Sequence, residues 1–121
     1  MNVFDASALL AFLAGEEGAA RAEEALDAGG VCGAVNWSEV AQKIRAHGRN
    51  WDLSRALLAS YGLQIEVVTA EDAEWAARRW VRGEGLSLAD RLCMALGSRL
   101  DAEVWTADIA WGTEGRIRQI R

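Results

Sequence analysis

The sequence predicts an α/β protein built on a parallel sheet with helices on both faces. Three observations carry this. Short strand candidates alternate with helix candidates along nearly the whole chain, the pattern of a sheet whose strands are joined by crossover helices. The length, 121 residues, suits one domain with one real core. The chain has no proline, repeat or low-complexity segment to mark a boundary, so residues 1–121 are read as a single domain.

Met1 to Phe4 reads as a strand that ends at Asp5. Ser7 is placed to cap a helix carrying Leu9, Leu10, Phe12 and Leu13, which Gly15 stops. Glu16 to Ala28 is a second helix with a solvated face of Glu16, Glu17, Glu23 and Glu24. Gly29 and Gly30 turn the chain into a small-residue strand from Val31 to Val35. Asn36 or Ser38 then starts a helix through Trp37, Val40, Ala41 and Ile44, with Glu39 in its first turn. Arg45, His47, Gly48 and Arg49 close it, and His47, the only histidine, reads as a helix C-terminal cation or a surface residue. Asn50 or Asp52 opens a further helix that ends near Tyr61 and Gly62.

Ile65 to Val68 is the next strand. Thr69 caps a helix from Ala70 to Val81, with Asp72 as its capping-box partner. Gly83-Glu84-Gly85 is a loop. In the following helix Leu88, Leu92, Leu96 and Leu100 form an apolar stripe, Ser87 is the N-cap and Asp90 lies in the first turn, near the positive end of the helix dipole. Glu103-Val104-Trp105 is a strand leading to Thr106-Ala107-Asp108, and Ile117 to Ile120 a last one.

In such a sheet the ligand site lies at the carboxyl ends of the strands. Asp5 and Asp108 follow strands directly, and Glu39 and Asp90 open helices entered from that same edge. Four carboxylates therefore meet on one rim, where they repel one another unless a cation neutralises them. An all-oxygen set without Cys or His points to Mg²⁺ or Mn²⁺ rather than zinc. Such an ion, keeping several waters, is equipped for phosphodiester chemistry. Ser7, Asn36 and Thr106 are near enough in sequence to orient these acids or bind substrate oxygens.

Composition narrows the classes. The chain is 51% hydrophobic and 26% charged, ordinary for a globular protein. It has no run long enough to span a membrane and no basic leader, so a cytoplasmic location is expected. Cys32 and Cys93 stand apart in apolar settings and read as buried free thiols. The net charge of −5 weighs against nucleic-acid binding, but it falls close to neutral if four acids bind metal. Lys43 is the only lysine, and arginine is the better phosphate ligand. Arg45, Arg49, Arg78, Arg79, Arg82 and Arg91 are the candidates to face a phosphate-bearing ligand.

Asp5 in Val3-Phe4-Asp5-Ala6-Ser7, Glu39 in Asn36-Trp37-Ser38-Glu39-Val40, Asp90 in Leu86-Ser87-Leu88-Ala89-Asp90 and Asp108 in Trp105-Thr106-Ala107-Asp108 resemble, in order and spacing, the four motifs of PIN-domain ribonucleases. The likeness covers the whole chain and is nearest to the VapC toxins of toxin–antitoxin pairs. It implies a three-layer α/β/α fold and a Mg²⁺- or Mn²⁺-dependent endoribonuclease acting on tRNA or ribosomal RNA, with these four acids as metal ligands and catalytic residues. It further implies a homodimer and a VapB-type antitoxin whose C-terminal segment covers the acids, with no organic cofactor. A non-catalytic RNA-binding or interaction module with the same fold would be expected to lose one of the acids. A receiver-type Mg²⁺-binding signalling domain would need a lysine after the last strand.

Overall fold

A computed structural model describes all 121 residues. Five strands form one all-parallel sheet: β1 (Asn2–Phe4), β2 (Gly30–Gly33), β3 (Gln64–Glu66), β4 (Glu103–Thr106) and β5 (Ile117–Gln119), in the order β3-β2-β1-β4-β5. The six helices are α1 (Ala6–Ala14), α2 (Ala19–Asp27), α3 (Ala34–Ala46), α4 (Trp51–Ser60), α5 (Ala70–Arg79) and α6 (Leu88–Leu100).

Side chains alternate across a strand, and the two faces fill separate cores. Phe4 and Cys32 join Leu9, Leu26, Val40, Ile44 and Leu58 under α1 to α4. Their neighbours Val3 and Val31 join Cys93, Leu96 and Val104 under α6, with Trp75 of α5 at the margin. This is the three-layer α/β/α arrangement. Both thiols are buried and free. No helix is long and apolar enough to cross a membrane.

Several boundaries differ from the sequence reading. The second strand stops at Gly33 instead of Val35, because Ala34 and Val35, which suit either state, are already helical. Gly33 fits the sharp change of direction: a Cβ there would meet Asn36 Oδ1 at 3.3 Å and a Leu96 methyl at 3.5 Å. Glu39 consequently lies in the second turn of α3, not the first. The second helix starts at Ala19, after Gly18 in a left-handed conformation (φ 91°), where a Cβ would run into the Ile120 carbonyl. β3 covers only Gln64–Glu66 and is largely exposed.

The leucine stripe of α6 is only partly core. Steps of four residues drift by about 40° each on a helix of 3.6 residues per turn. Leu96 is buried and Leu88 is exposed, and the fully covered segment runs from Cys93 to Gly97. Gly97 is required by packing, since a Cβ there would overlap a Val104 methyl on β4.

β1 is the central strand, with β2 on one side and β4 on the other. The chain reverses its direction of progress across the sheet there, so β1, β2 and β4 end around one crevice.

Candidate active site

Asp5 leaves β1 at the N-cap position of α1 (φ −71°, ψ 155°), yet its side chain makes no capping bond. Its backbone N–H donates to the Trp105 carbonyl of β4 at 2.9 Å. The carboxylate turns inward, 5% exposed, and Oδ2 accepts hydrogen bonds from Ser7 Oγ at 2.6 Å and Thr106 Oγ1 at 2.9 Å. Burial pushes the Asp5 carboxyl up from 3.8 to about 6; the two hydroxyls pull it down, and the charges of Asp90 and Glu39 push it up again. No basic side chain offsets that charge.

Ser7 is not the helix cap that its place in the sequence suggests. It lies inside the first turn of α1, and its Oγ also accepts the Ala107 N–H at 2.9 Å, tying α1 to the end of β4. Thr106 is fully buried, and its Oγ1 accepts the Asp108 N–H at 3.0 Å. Asn36, 1% exposed, uses both amide hydrogens, one on Glu39 Oε1 at 3.1 Å and one on the Ala89 carbonyl at 3.2 Å. It thereby joins α3 to the first turn of α6, one residue before Asp90. Each of these three polar residues holds one of the acids or the backbone next to one.

Asp90 is half-buried and completes a capping box: Ser87 Oγ accepts the Asp90 N–H, and Asp90 Oδ2 accepts the Ser87 N–H at 2.9 Å. Capping and proximity to Asp5 are thus compatible. Asp72, which looks the same in sequence, also completes a box, but its carboxylate is buried and gripped by Arg99 through two bonds of 3.0 and 3.1 Å. Those bonds and the Thr69 cap hold its pKa below 3.8 in spite of burial. The contrast separates the look-alikes: Asp72 has a cation and Asp90 does not.

Asp108 is exposed, and its Oδ1 caps a single 3₁₀ turn, Ile109–Trp111, by accepting the Ala110 N–H at 2.9 Å. It reaches the Asp5 network through its backbone, at Thr106 Oγ1. No three His, Cys, Asp or Glu side chains are drawn together closely enough to hold a metal ion. The donor chemistry nevertheless fits a hard cation, because Asp5 is a buried carboxylate that feels the charges of Asp90 and Glu39 and is offset by nothing positive.

A cleft of about 700 Å³ opens beside Asp108, the one acid of the four in its lining, and is bounded also by Ser7, Glu16, Lys43, His47, Arg49 and Arg121. Of the arginines that the sequence offers to RNA, only Arg49 lines it. Arg79 pairs with Glu84 at 2.7 Å, Arg91 donates to the Ala76 carbonyl at 2.6 Å, and Arg82 lies over the Trp80 ring. Sequence reasoning misses Lys43 and Arg121. For Lys43 a signal exists: the four-residue steps Glu39, Lys43, His47 place it on one helix face with an acid of the rim.

A family model for the PIN domain matches residues 3–111. No curated protein matches the sequence significantly. Among solved structures, a chain from a toxin-antitoxin complex of Klebsiella pneumoniae is similar, with 19% identity and a TM-score of 0.78 over 100% of this chain and 98% of that one.

Proposed function

The chain belongs to the PIN domain family, and on that premise we propose that it is a metal-dependent endoribonuclease, the VapC-type toxin of a toxin–antitoxin pair. The observation that carries the proposal is the buried Asp5 carboxylate at the sheet's switch point, pressed by Glu39 and Asp90 with no basic partner. Asp5, Glu39, Asp90 and Asp108 would hold Mg²⁺ or Mn²⁺. Bound there, the ion would supply positive charge for activating a water and for balancing the charge that develops on the phosphate.

The chain's own groups prepare this site. Ser7 and Thr106 fix the Asp5 carboxylate in one orientation and favour its ionised form. Asn36 restrains Glu39 and sets α3 against the start of α6. Thr106 positions the backbone of Asp108, leaving that carboxylate exposed beyond the end of β4.

The similar structure is described as a toxin-antitoxin complex, which supports an antitoxin as partner here. The acidic rim suits a basic side chain on that partner's C-terminal segment. Exposed Leu53 and Leu57 on α4 and Trp80 and Val81 after α5 are apolar surface in keeping with a homodimer. The protein is expected to act in the cytoplasm on tRNA or ribosomal RNA.

The test is incubation of the purified protein with total RNA, with and without Mn²⁺, and with an antitoxin C-terminal peptide added. Discrete cleavage that needs the metal and stops with EDTA or the peptide supports the proposal. Full activity in EDTA would refute the mechanism, and a complex with the rim open to solvent would refute masking.

A further inference from the structure

We infer that the cationic half of the cleft beside the acids is a subsite for a backbone phosphate of RNA next to the one being cleaved. The inference rests on the nuclease reading above and adds the means by which the substrate is seated. Helix α3 presents Asn36, Glu39 and Lys43 at steps of three and four residues, hence along one face, and its C-cap His47 follows four residues on. Each step of four advances about 6 Å along the axis, so Glu39 and His47 lie roughly 12 Å apart. The sign of charge changes along that face, from the Glu39 carboxylate to the Lys43 ammonium one turn on.

Lys43, His47, Arg49 and Arg121 line this cleft together with Ser7 and Asp108, and Glu16 is its one carboxylate besides Asp108. The gathering is uneven in a chain of net charge −5. The four ion pairs of the structure use Arg79, Arg99, Arg116 and Arg118. Lys43 and Arg49 have no carboxylate partner, although acids outnumber bases 18 to 13. Arg121 spends only its Nε, on the Glu17 carbonyl at 3.1 Å. Unpaired cations lining a concave surface focus a positive field on whatever enters. A polyanion with regularly spaced charges, one of them at the acidic end, matches this division: the flanking phosphate meets Lys43 and Arg49 while the reacting one meets the acids. A neutral or singly charged substrate would leave half the cleft without a partner.

The experiment measures binding and cleavage of a short single-stranded RNA by the intact protein, comparing Lys43→Ala/Arg49→Ala with Arg21→Ala/Arg55→Ala. Both doubles remove two positive charges, so net charge is matched. Arg21 lies with Met1 and Glu103 at the amino ends of the strands, on the opposite rim, and Arg55 is an exposed residue of α4 outside the cleft lining. All four residues are exposed or half-exposed, and melting curves confirm folding. If Lys43 and Arg49 each neutralise phosphate charge, the first double should weaken binding about tenfold at low salt. The slope of log affinity against log salt should fall by about 1.4, near 0.7 for each charge removed from the RNA. The loss of cleavage should appear in KM rather than kcat, and the control double should change neither slope nor KM. Equal effects of the two doubles would overturn the subsite while leaving the nuclease reading intact. An unchanged slope with a weakened antitoxin complex would assign the cleft to the protein partner and likewise overturn it. A wild-type protein that neither binds nor cleaves RNA would remove the nuclease reading and the subsite with it.

Discussion

Ser7 Oγ donates to Asp5 Oδ2 at 2.6 Å, and this bond dictates the sense of its neighbours. Thr106 Oγ1 donates to the same oxygen at 2.9 Å. Each hydroxyl has one hydrogen, so with Asp5 ionised the 3.1 Å approach of Ser7 to Thr106 holds no hydrogen bond. The remaining lone pairs accept the N–H groups of Ala107 and Asp108. Ser7→Ala should therefore raise the Asp5 pKa further and strand the Ala107 N–H. The expected cost is about 1–2 kcal/mol in denaturant unfolding, with the acid limb of the cleavage pH profile moved to higher pH. An unmoved limb would remove Ser7 from any positioning role.

Asp5→Asn should stabilise the metal-free protein while abolishing cleavage. Asp5 has its carboxyl raised from 3.8 to about 6, so the fold favours the protonated form. Its contribution is complete below pH 3.8 and is lost as pH rises through about 6. The advantage of the Asn variant over wild type should grow across that window, to on the order of 3 kcal/mol. Melts in EDTA at a series of pH values measure the difference, and a constant gap would contradict it.

Asp90→Asn addresses one of the two acids pressing on Asp5. The amide oxygen can still accept the Ser87 N–H, so the capping loss should stay below about 1 kcal/mol. Relief of repulsion offsets it, and the metal-free protein should melt no lower than wild type, with cleavage reduced by orders of magnitude. A less stable, fully active variant would leave Asp90 as a cap alone.

Asp72→Asn should do the reverse of both. It removes the charge of the ion pair with Arg99 and one of the two bonds to it, at a cost of about 2 kcal/mol, with cleavage unchanged. Because the Asp72 pKa is held below 3.8, its stabilisation is present above that pH and is lost as pH falls through the lower, folded-state value. The wild-type advantage should therefore vanish in acid, where that of Asp5→Asn vanishes too.

Divalent metal should raise the melting temperature of the wild type in proportion to the logarithm of its concentration above Kd. The rise should be absent from Asp5→Asn. Equal stabilisation of the two proteins by Mn²⁺ would place the ion elsewhere.

The layered architecture is legible in the order of residues alone. Alternating strand and helix signals leave few ways to bury apolar faces other than a parallel sheet between helices, and the capping pairs Ser87/Asp90 and Thr69/Asp72 can be read because they span three residues. The same pattern places Asp5 and Asp108 just past strands and Asp90 in the first turn of a helix, whereas Glu39 falls one turn further into α3 than its sequence suggests. What separates Asp72 from Asp90 arises only in the folded chain: Arg99, 27 residues away, neutralises one and not the other. Folding also turns Ser7 from a cap into the link between Asp5 and β4, 100 residues on, and gathers Lys43, Arg49 and Arg121 into one cleft. Local pattern fixes which residues form an element and which edge they leave. Charge balance depends on partners far along the chain, and these meet only when the sheet has assembled.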